Sequence, residues 1–181
     1  MKKSRVRMLT EGGIMIALAA ILSQITPFQM PQGGSISLGG MVPILLFAAL
    51  WGAGPGILVG AAFGILDFIL RPSFFSIPQM LLDYPIAYAM LGLAGFGKPS
   101  GEDNRGLARL VLFSAIGILG RFAAAVASGV VFFGQFTPPG MHPLWYSMTY
   151  NATYLLPDAV IAVLLLSLLY RPVMTRLPVA R

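Results

Sequence analysis

Residues 107–133 read LARLVLFSAIGILGRFAAAVASGVVFF, and Arg109 and Arg121 are the only charged side chains in this long apolar run. A helix of about 20 apolar residues spans the hydrocarbon core of a bilayer. Lipid contains no water to hydrogen-bond a free backbone, so a segment of this length crosses it as a helix. The stretch therefore predicts a transmembrane α-helix, with Arg121 near its centre.

The composition of the whole chain agrees with a membrane location. The chain has 181 residues, of which 57% are hydrophobic and 10% charged, with a mean hydropathy of +0.82. A soluble globular domain is usually about 25% charged. One small core could not hide this much apolar surface, so we predict an integral membrane protein.

Similar apolar runs recur along the chain and predict an all-α fold of six transmembrane helices. They form a single membrane domain over residues 1–181. The predicted helices cover residues 8–27, 41–51, 57–70, 78–96, 107–133 and 145–170. The second is short, so we expect it to be tilted, irregular or only partly spanning. Glycine and proline at 52–56 predict a tight turn before the third.

The basic residues predict the orientation of these helices. Ten of the twelve Lys and Arg residues fall at the N-terminus, around the loop at 97–106 or in the C-terminal tail. The positive-inside rule then places both termini in the cytoplasm of a plasma-membrane protein. The loops at 28–40, 71–77 and 134–144 face outward. The net charge is +6, but the basic residues are divided among the two chain ends and one loop between apolar helices. We therefore expect no nucleic-acid partner.

Catalytic and metal-binding patterns are missing from the sequence. There is no cysteine, and His142 is the single histidine. The sequence contains no Walker A motif, HExxH or GxSxG. We therefore expect a protein that is not an enzyme and that has no cofactor or metal site.

Four ionisable residues stand out within the predicted spans: Asp67, Asp83, Arg121 and Asp158. Such groups are costly in lipid and usually face a cavity or each other. For Asp67, Asp158 and Arg121, a structural ion pair and a site role both stay open. Asp83 precedes Tyr84, and a carboxylate beside an aromatic ring suits an organic cation. We therefore expect Asp83 to contact a ligand.

The start of the last helix is unusually polar and aromatic. Residues 145–154 read WYSMTYNATY, with tyrosines spaced at four. One interpretation is an aromatic belt at the membrane interface. The other is a small-molecule pocket, because Ser147 and Asn151 add hydrogen-bonding groups on adjoining faces.

Several stretches together resemble the substrate-binding S components of energy-coupling factor (ECF) vitamin transporters, most closely the thiamine-specific branch. They are RMLTE at 7–11, MPQGGSISL at 30–38, MVPILLFAALWGAGPG at 41–56, QMLLDYPIAYAMLGLAG at 79–95, GRFAAAVASGVVFFGQF at 120–136 and WYSMTYNATYLLP at 145–157. The resemblance implies a six-helix bundle with a vitamin pocket near the outer face. It also implies a complex with a transmembrane coupling protein and two ATPase subunits, which drive uptake of thiamine or a related small molecule.

The resemblance also implies roles for individual residues. Asp83 stands where the family usually has a longer Glu facing the thiazolium of thiamine. The implied substrate-binding residues are Asp83, Tyr84, Arg121, Gly129, Phe133, Tyr146, Ser147 and Asn151. Gly13 and Ala17 form a small-xxx-small pair. They match the positions that pack on the coupling protein, although packing within the chain is the alternative.

Two departures from the family pattern bear on the ligand. Ala125 stands where the family often has His, and residues 33–43 lack the acid that often lies in the first outer loop. Both changes remove polar contacts. An S component for another heterocycle, such as a thiamine precursor, therefore stays an alternative, as does a stand-alone secondary transporter.

Overall fold

A computed structural model of the protein describes residues 5–98 and 104–176. The predicted basic positions Lys2, Lys3 and Arg181 lie outside the described residues, as do residues 99–103 of the predicted hydrophilic loop at 97–106. In the part of the chain that is described, six helices form a bundle, and five of them are long and apolar enough to cross a membrane. The prediction of an all-α membrane bundle is confirmed.

The helices are named α1 to α6 in chain order. They are α1 (Arg5–Gln24), α2 (Val42–Trp51), α3 (Ala53–Leu70), α4 (Ile77–Gly97), α5 (Asn104–Phe132) and α6 (Pro143–Arg176). A two-stranded antiparallel hairpin, β1 (Phe28–Gln29) and β2 (Ser35–Ile36), follows α1. A short 3₁₀ turn over Gly134–Phe136 precedes α6.

The chain between α2 and α3 differs from its prediction. The glycine- and proline-rich residues 52–56 were expected to form a turn, but only Gly52 breaks the helix, at φ 96°. Pro55 lies in the first turn of α3, where a missing N–H costs no intrahelical hydrogen bond. As a result, α3 begins at Ala53 and not at residue 57.

The short helix α2 is the centre of the core. Every residue from Val42 to Leu50 is buried. By contrast, Leu58 on α3 is 72% exposed and Leu168 on α6 is 73% exposed. In a membrane protein such outward-facing leucines contact lipid. Thus α2 is covered by the other helices, and their outer faces suit the bilayer.

Helix α4 changes its winding around Pro85. An α-helical turn at Ile77–Leu81 passes into a π-helical turn at Leu82–Ile86, which accommodates the missing N–H of the proline. On α3, a Cβ at Gly60 or Gly64 would collide with the α4 backbone at Tyr88 or Tyr84. The two glycines let α4 lie against α3, as small residues do between membrane helices.

Candidate functional site

One end of the bundle encloses a cavity of about 380 Å³. The hairpin, the loop at 71–73 and the facing ends of α4, α5 and α6 line its wall. All eight residues predicted to bind substrate lie on this wall: Asp83, Tyr84, Arg121, Gly129, Phe133, Tyr146, Ser147 and Asn151. The structure thus brings them together, while their role in binding stays a prediction.

Asp83 is the acid without an ionic partner in this cavity. It lies in the π-helical turn of α4. Its Oδ2 accepts a hydrogen bond of 2.6 Å from Nε2 of Gln79. Within residues 5–98 and 104–176, no lysine or arginine pairs with it. Asp83 therefore carries an uncompensated negative charge when it is ionised.

The other acids of the spans are held in ion pairs. Asp67, which is buried, pairs with Arg71 at 2.6 Å and accepts a hydrogen bond from the Tyr88 hydroxyl at 2.9 Å. Arg121 and Asp158 lie 3.7 Å apart. The two carboxylates and two guanidinium groups balance each other, so the structural alternative left open for Asp67 and Asp158 matches the geometry.

Arg121 lies at the middle of this network. Its Nη2 donates to the Tyr88 hydroxyl at 3.1 Å, and its guanidinium lies 4.3 Å from the centre of the Tyr88 ring. A cation over an aromatic face is attracted by the ring quadrupole. Arg121 on α5 thus pairs with Asp158 on α6 and contacts Tyr88 on α4. These contacts connect the three helices across the floor of the cavity.

The network also holds the buried chain that follows the hairpin. Asp158 accepts hydrogen bonds from the backbone N–H and the hydroxyl of Ser37, at 3.1 and 2.9 Å. The Ser37 hydroxyl in turn accepts one from the Gly40 N–H at 3.1 Å. Burial is the largest single influence on the pKa of Arg71 and lowers it, but the charge and hydrogen bond of Asp67, together with Tyr88, outweigh burial and raise this pKa.

Tyr84 contributes a ring to the cavity wall, and its hydroxyl fastens the loop at 71–73. The hydroxyl donates to the carbonyl of Arg71 and accepts from the N–H of Ser73, both at 2.9 Å. The ring packs edge-on against Phe68 at 5.1 Å. Its polar atom is thus already satisfied by the protein.

Helices α5 and α6 are joined by a polar seam. A Cβ on Gly129 would collide with Oγ of Ser147, so the glycine permits their close approach. The Ser147 hydroxyl donates to the carbonyl of Val126 at 2.9 Å. Asn151 donates to the Ser147 carbonyl at 2.8 Å and accepts from the Tyr154 hydroxyl at 2.6 Å. This seam orients the tyrosines of α6.

Aromatic rings form the remaining walls. Tyr146, Tyr150 and Tyr154 follow one another on α6 with ring centres 6.1 Å apart at each step. Phe133 lies between Phe75 and Phe136, at 6.0 and 6.2 Å. Flat heterocycles pack well against such faces.

The hairpin covers part of the cavity. Gly33, at φ 95°, makes its tight turn. The backbone N–H of Gln32 donates to the Tyr150 hydroxyl at 3.0 Å. A Cβ on Gly34 would meet the ring of Tyr154. The hairpin therefore packs directly against Tyr150 and Tyr154 of α6.

Sequence reasoning missed several residues of this site. Tyr88 and the hairpin residues Gln29 and Gln32 line the cavity. Gln79, which holds Asp83, is fully buried. The signal available was spacing, because Tyr88 follows Tyr84 by four residues and Gln79 precedes Asp83 by four.

Gly13 and Ala17, the predicted partner-binding pair, lie on α1 and do not line the cavity. Both are exposed, and a Cβ on Gly13 would meet nothing within 4 Å. Within the described residues, no cluster of His, Asp or Glu could hold a metal ion.

Comparison with known proteins gives a consistent result. The family described as "Thiamine transporter protein" matches residues 9–176. The thiamine transporter ThiT of Bacillus subtilis is 40% identical over 173 residues, covering 90% of this chain and 89% of that protein. ThiT of Lacticaseibacillus paracasei is 32% identical over 142 residues, covering 72% and 70%.

A solved structure of ThiT from Listeria monocytogenes has the same fold. It superposes with a TM-score of 0.81 at 23% sequence identity, covering 94% of this chain and 96% of that one. At this identity the likeness concerns the fold alone.

Proposed function

Because this chain belongs to the thiamine transporter protein family, we propose that it is the thiamine-binding S component of an ATP-driven ECF importer. In this proposal the protein captures thiamine in the cavity between α4, α5 and α6. It binds and releases the vitamin unchanged and is not an enzyme.

The observation that carries the proposal is that Asp83 has no ionic partner in the described part of the chain. The other charged groups of the cavity and its floor form the pairs Asp67–Arg71 and Arg121–Asp158. Asp83 is half-buried, and withdrawing a carboxylate from water without an ionic partner is costly. A ligand with one fixed positive charge, such as the thiazolium ring of thiamine, would supply that partner.

The aromatic walls support a ligand with two flat rings. Tyr146, Tyr150 and Phe133 offer ring faces on the wall of one cavity. The polar atoms of Ser147 and Asn151 already bond to each other and to α5. We infer that these two residues shape the pocket, while Asp83 and the rings make the contacts that select the ligand.

The position of the cavity supports uptake from outside. It lies at the end of the bundle that holds the hairpin and the loop at 71–73. Lys98, Arg105 and Arg171 belong to the opposite, basic end, which the positive-inside rule assigns to the cytoplasm. In our proposal both termini are cytoplasmic and the cavity opens outward.

Energy for transport would come from partner subunits. The printed sequence has no P-loop for ATP. We infer that a transmembrane coupling protein with two ATPase subunits binds the exposed face of α1 that contains Gly13 and Ala17. Small residues let a second helix approach closely.

Two measurements test the proposal. Isothermal titration of the detergent-solubilised protein should show saturable thiamine binding with one site per chain. Proteoliposomes containing this chain, a coupling protein and the ATPases should take up thiamine only with ATP. If a folded sample does not bind thiamine, the ligand is another heterocycle. If the chain takes up thiamine without its partner subunits, it is a secondary transporter.

A further inference from the structure

Gln79 is placed unusually for a glutamine in a membrane protein. It is 0% exposed and lies one helical turn before Asp83. Its Nε2 donates to Oδ2 of Asp83 at 2.6 Å and to the carbonyl of Ser73 at 3.1 Å. Its Oε1 accepts from the N–H of Phe75 at 2.9 Å. The amide thus uses both of its donors and its acceptor.

Fastening the loop explains only part of this arrangement. The bonds to Ser73 and Phe75 satisfy two backbone groups of the loop between α3 and α4. The bond to Asp83 serves neither of them. It is the shortest of the three and is directed at the one acid that has no ionic partner within the described ranges.

The chemistry of an amide suits this position. A side-chain amide donates a hydrogen bond to a carboxylate without carrying charge. A lysine or arginine would also donate, but it would neutralise Asp83 and compete with a cationic ligand. A hydrogen bond to one carboxylate oxygen also restricts rotation of the group, and bonds to charged acceptors are short and strong.

We propose that Gln79 is a positioning residue that gives the cavity its preference for a cationic ligand, by holding Asp83 ionised and in one orientation. This inference rests on the proposed function and deepens it. It assigns a specificity role to a residue that has no surface in contact with solvent and that does not line the cavity.

The test compares two ligands on three proteins. The ligands are thiamine and an uncharged analogue in which a thiophene ring replaces the thiazolium. The proteins are the parent, Gln79→Met, and the control Gln24→Met at the exposed end of α1. We expect Gln79→Met to weaken thiamine binding about 10- to 100-fold, the range for a hydrogen bond to a charged group. The neutral analogue should bind nearly as before.

A double-mutant cycle separates positioning from general damage. If Gln79 acts through Asp83, adding Gln79→Met to Asp83→Asn should cost little further thiamine affinity, because coupled residues are not additive. Equal losses for the cationic and neutral ligands, or additive losses in the cycle, would overturn the proposal. A parent protein that binds no thiamine would overturn the proposed function itself.

A second variant keeps the proposal testable if Gln79→Met does not fold. The pair Gln79→Asn with Asp83→Glu moves one methylene from the amide to the acid and leaves both positions polar. We expect the pair to recover part of the preference for thiamine over the neutral analogue that Gln79→Asn alone loses. No recovery in a folded double variant would count against a direct hydrogen bond as the cause.

Discussion

Replacing Asp83 by Asn removes one charge from the cavity and nearly preserves the shape of the side chain. Two charges about 4 Å apart attract each other by about 4 kcal/mol at an effective dielectric constant of roughly 20. Desolvation of the carboxylate offsets part of this attraction. We therefore expect thiamine binding to weaken by about 2–4 kcal/mol, or roughly 30- to 1000-fold.

Calorimetric titration of the purified variant with thiamine measures this loss, and thermal unfolding in detergent measures stability. Because Asp83 has no ionic partner among the described residues, Asp83→Asn should leave the midpoint of unfolding unchanged or raise it. The matched control is Asp158→Asn, which should lower the midpoint because Asp158 pairs with Arg121 and holds Ser37. Undiminished thiamine affinity in folded Asp83→Asn would refute the reasoning.

The ion pair, the helix seam and the exposed face of α1 each make a further prediction. Arg121→Met should destabilise the protein by about 3–5 kcal/mol, because Asp158 loses its partner. Thermal unfolding checks this, with Arg121→Lys expected to lose less. Gly129→Ala should cost about 1–3 kcal/mol, since the new methyl group meets Ser147 and the helices must separate. Gly13→Ala, in open space, is its control and should cost almost nothing. Gly13→Trp should spare thiamine binding and abolish co-purification with the coupling protein. Normal assembly of that variant would contradict the assignment of α1 as the docking face.

The helices were predictable because their cause is local. An apolar run in lipid must satisfy its own backbone hydrogen bonds, and the helix does so within the segment. The error at residues 52–56 has an equally local reason. Glycine and proline are usual in turns, but proline is also tolerated in the first turn of a helix. The sequence pattern does not distinguish these two uses at Pro55.

The site was only partly predictable. Asp83 and the polar start of α6 stand out as groups that lipid does not tolerate, and the structure places them on one cavity wall. Tyr84 lines the same cavity, and its contact with the ligand stays a prediction. Only the structure shows that its hydroxyl bonds to the loop at 71–73. Gln79 was overlooked because a spacing of four before Asp83 does not reveal that its amide is fully buried and bonded to that acid.

By itself, the sequence determined the membrane location, the number of helices and the ionisable residues that need a partner. These properties depend on the free energy of transfer of each residue into lipid and on hydrogen bonds between residues four apart. Only the tertiary structure decided which ionisable groups neutralise each other. Ser37 meets Asp158 across 121 positions of the chain, and Arg121 meets Tyr88 across 33. Such pairings depend on how the helices pack, and that packing leaves Asp83 without an ionic partner among the residues that the structure describes.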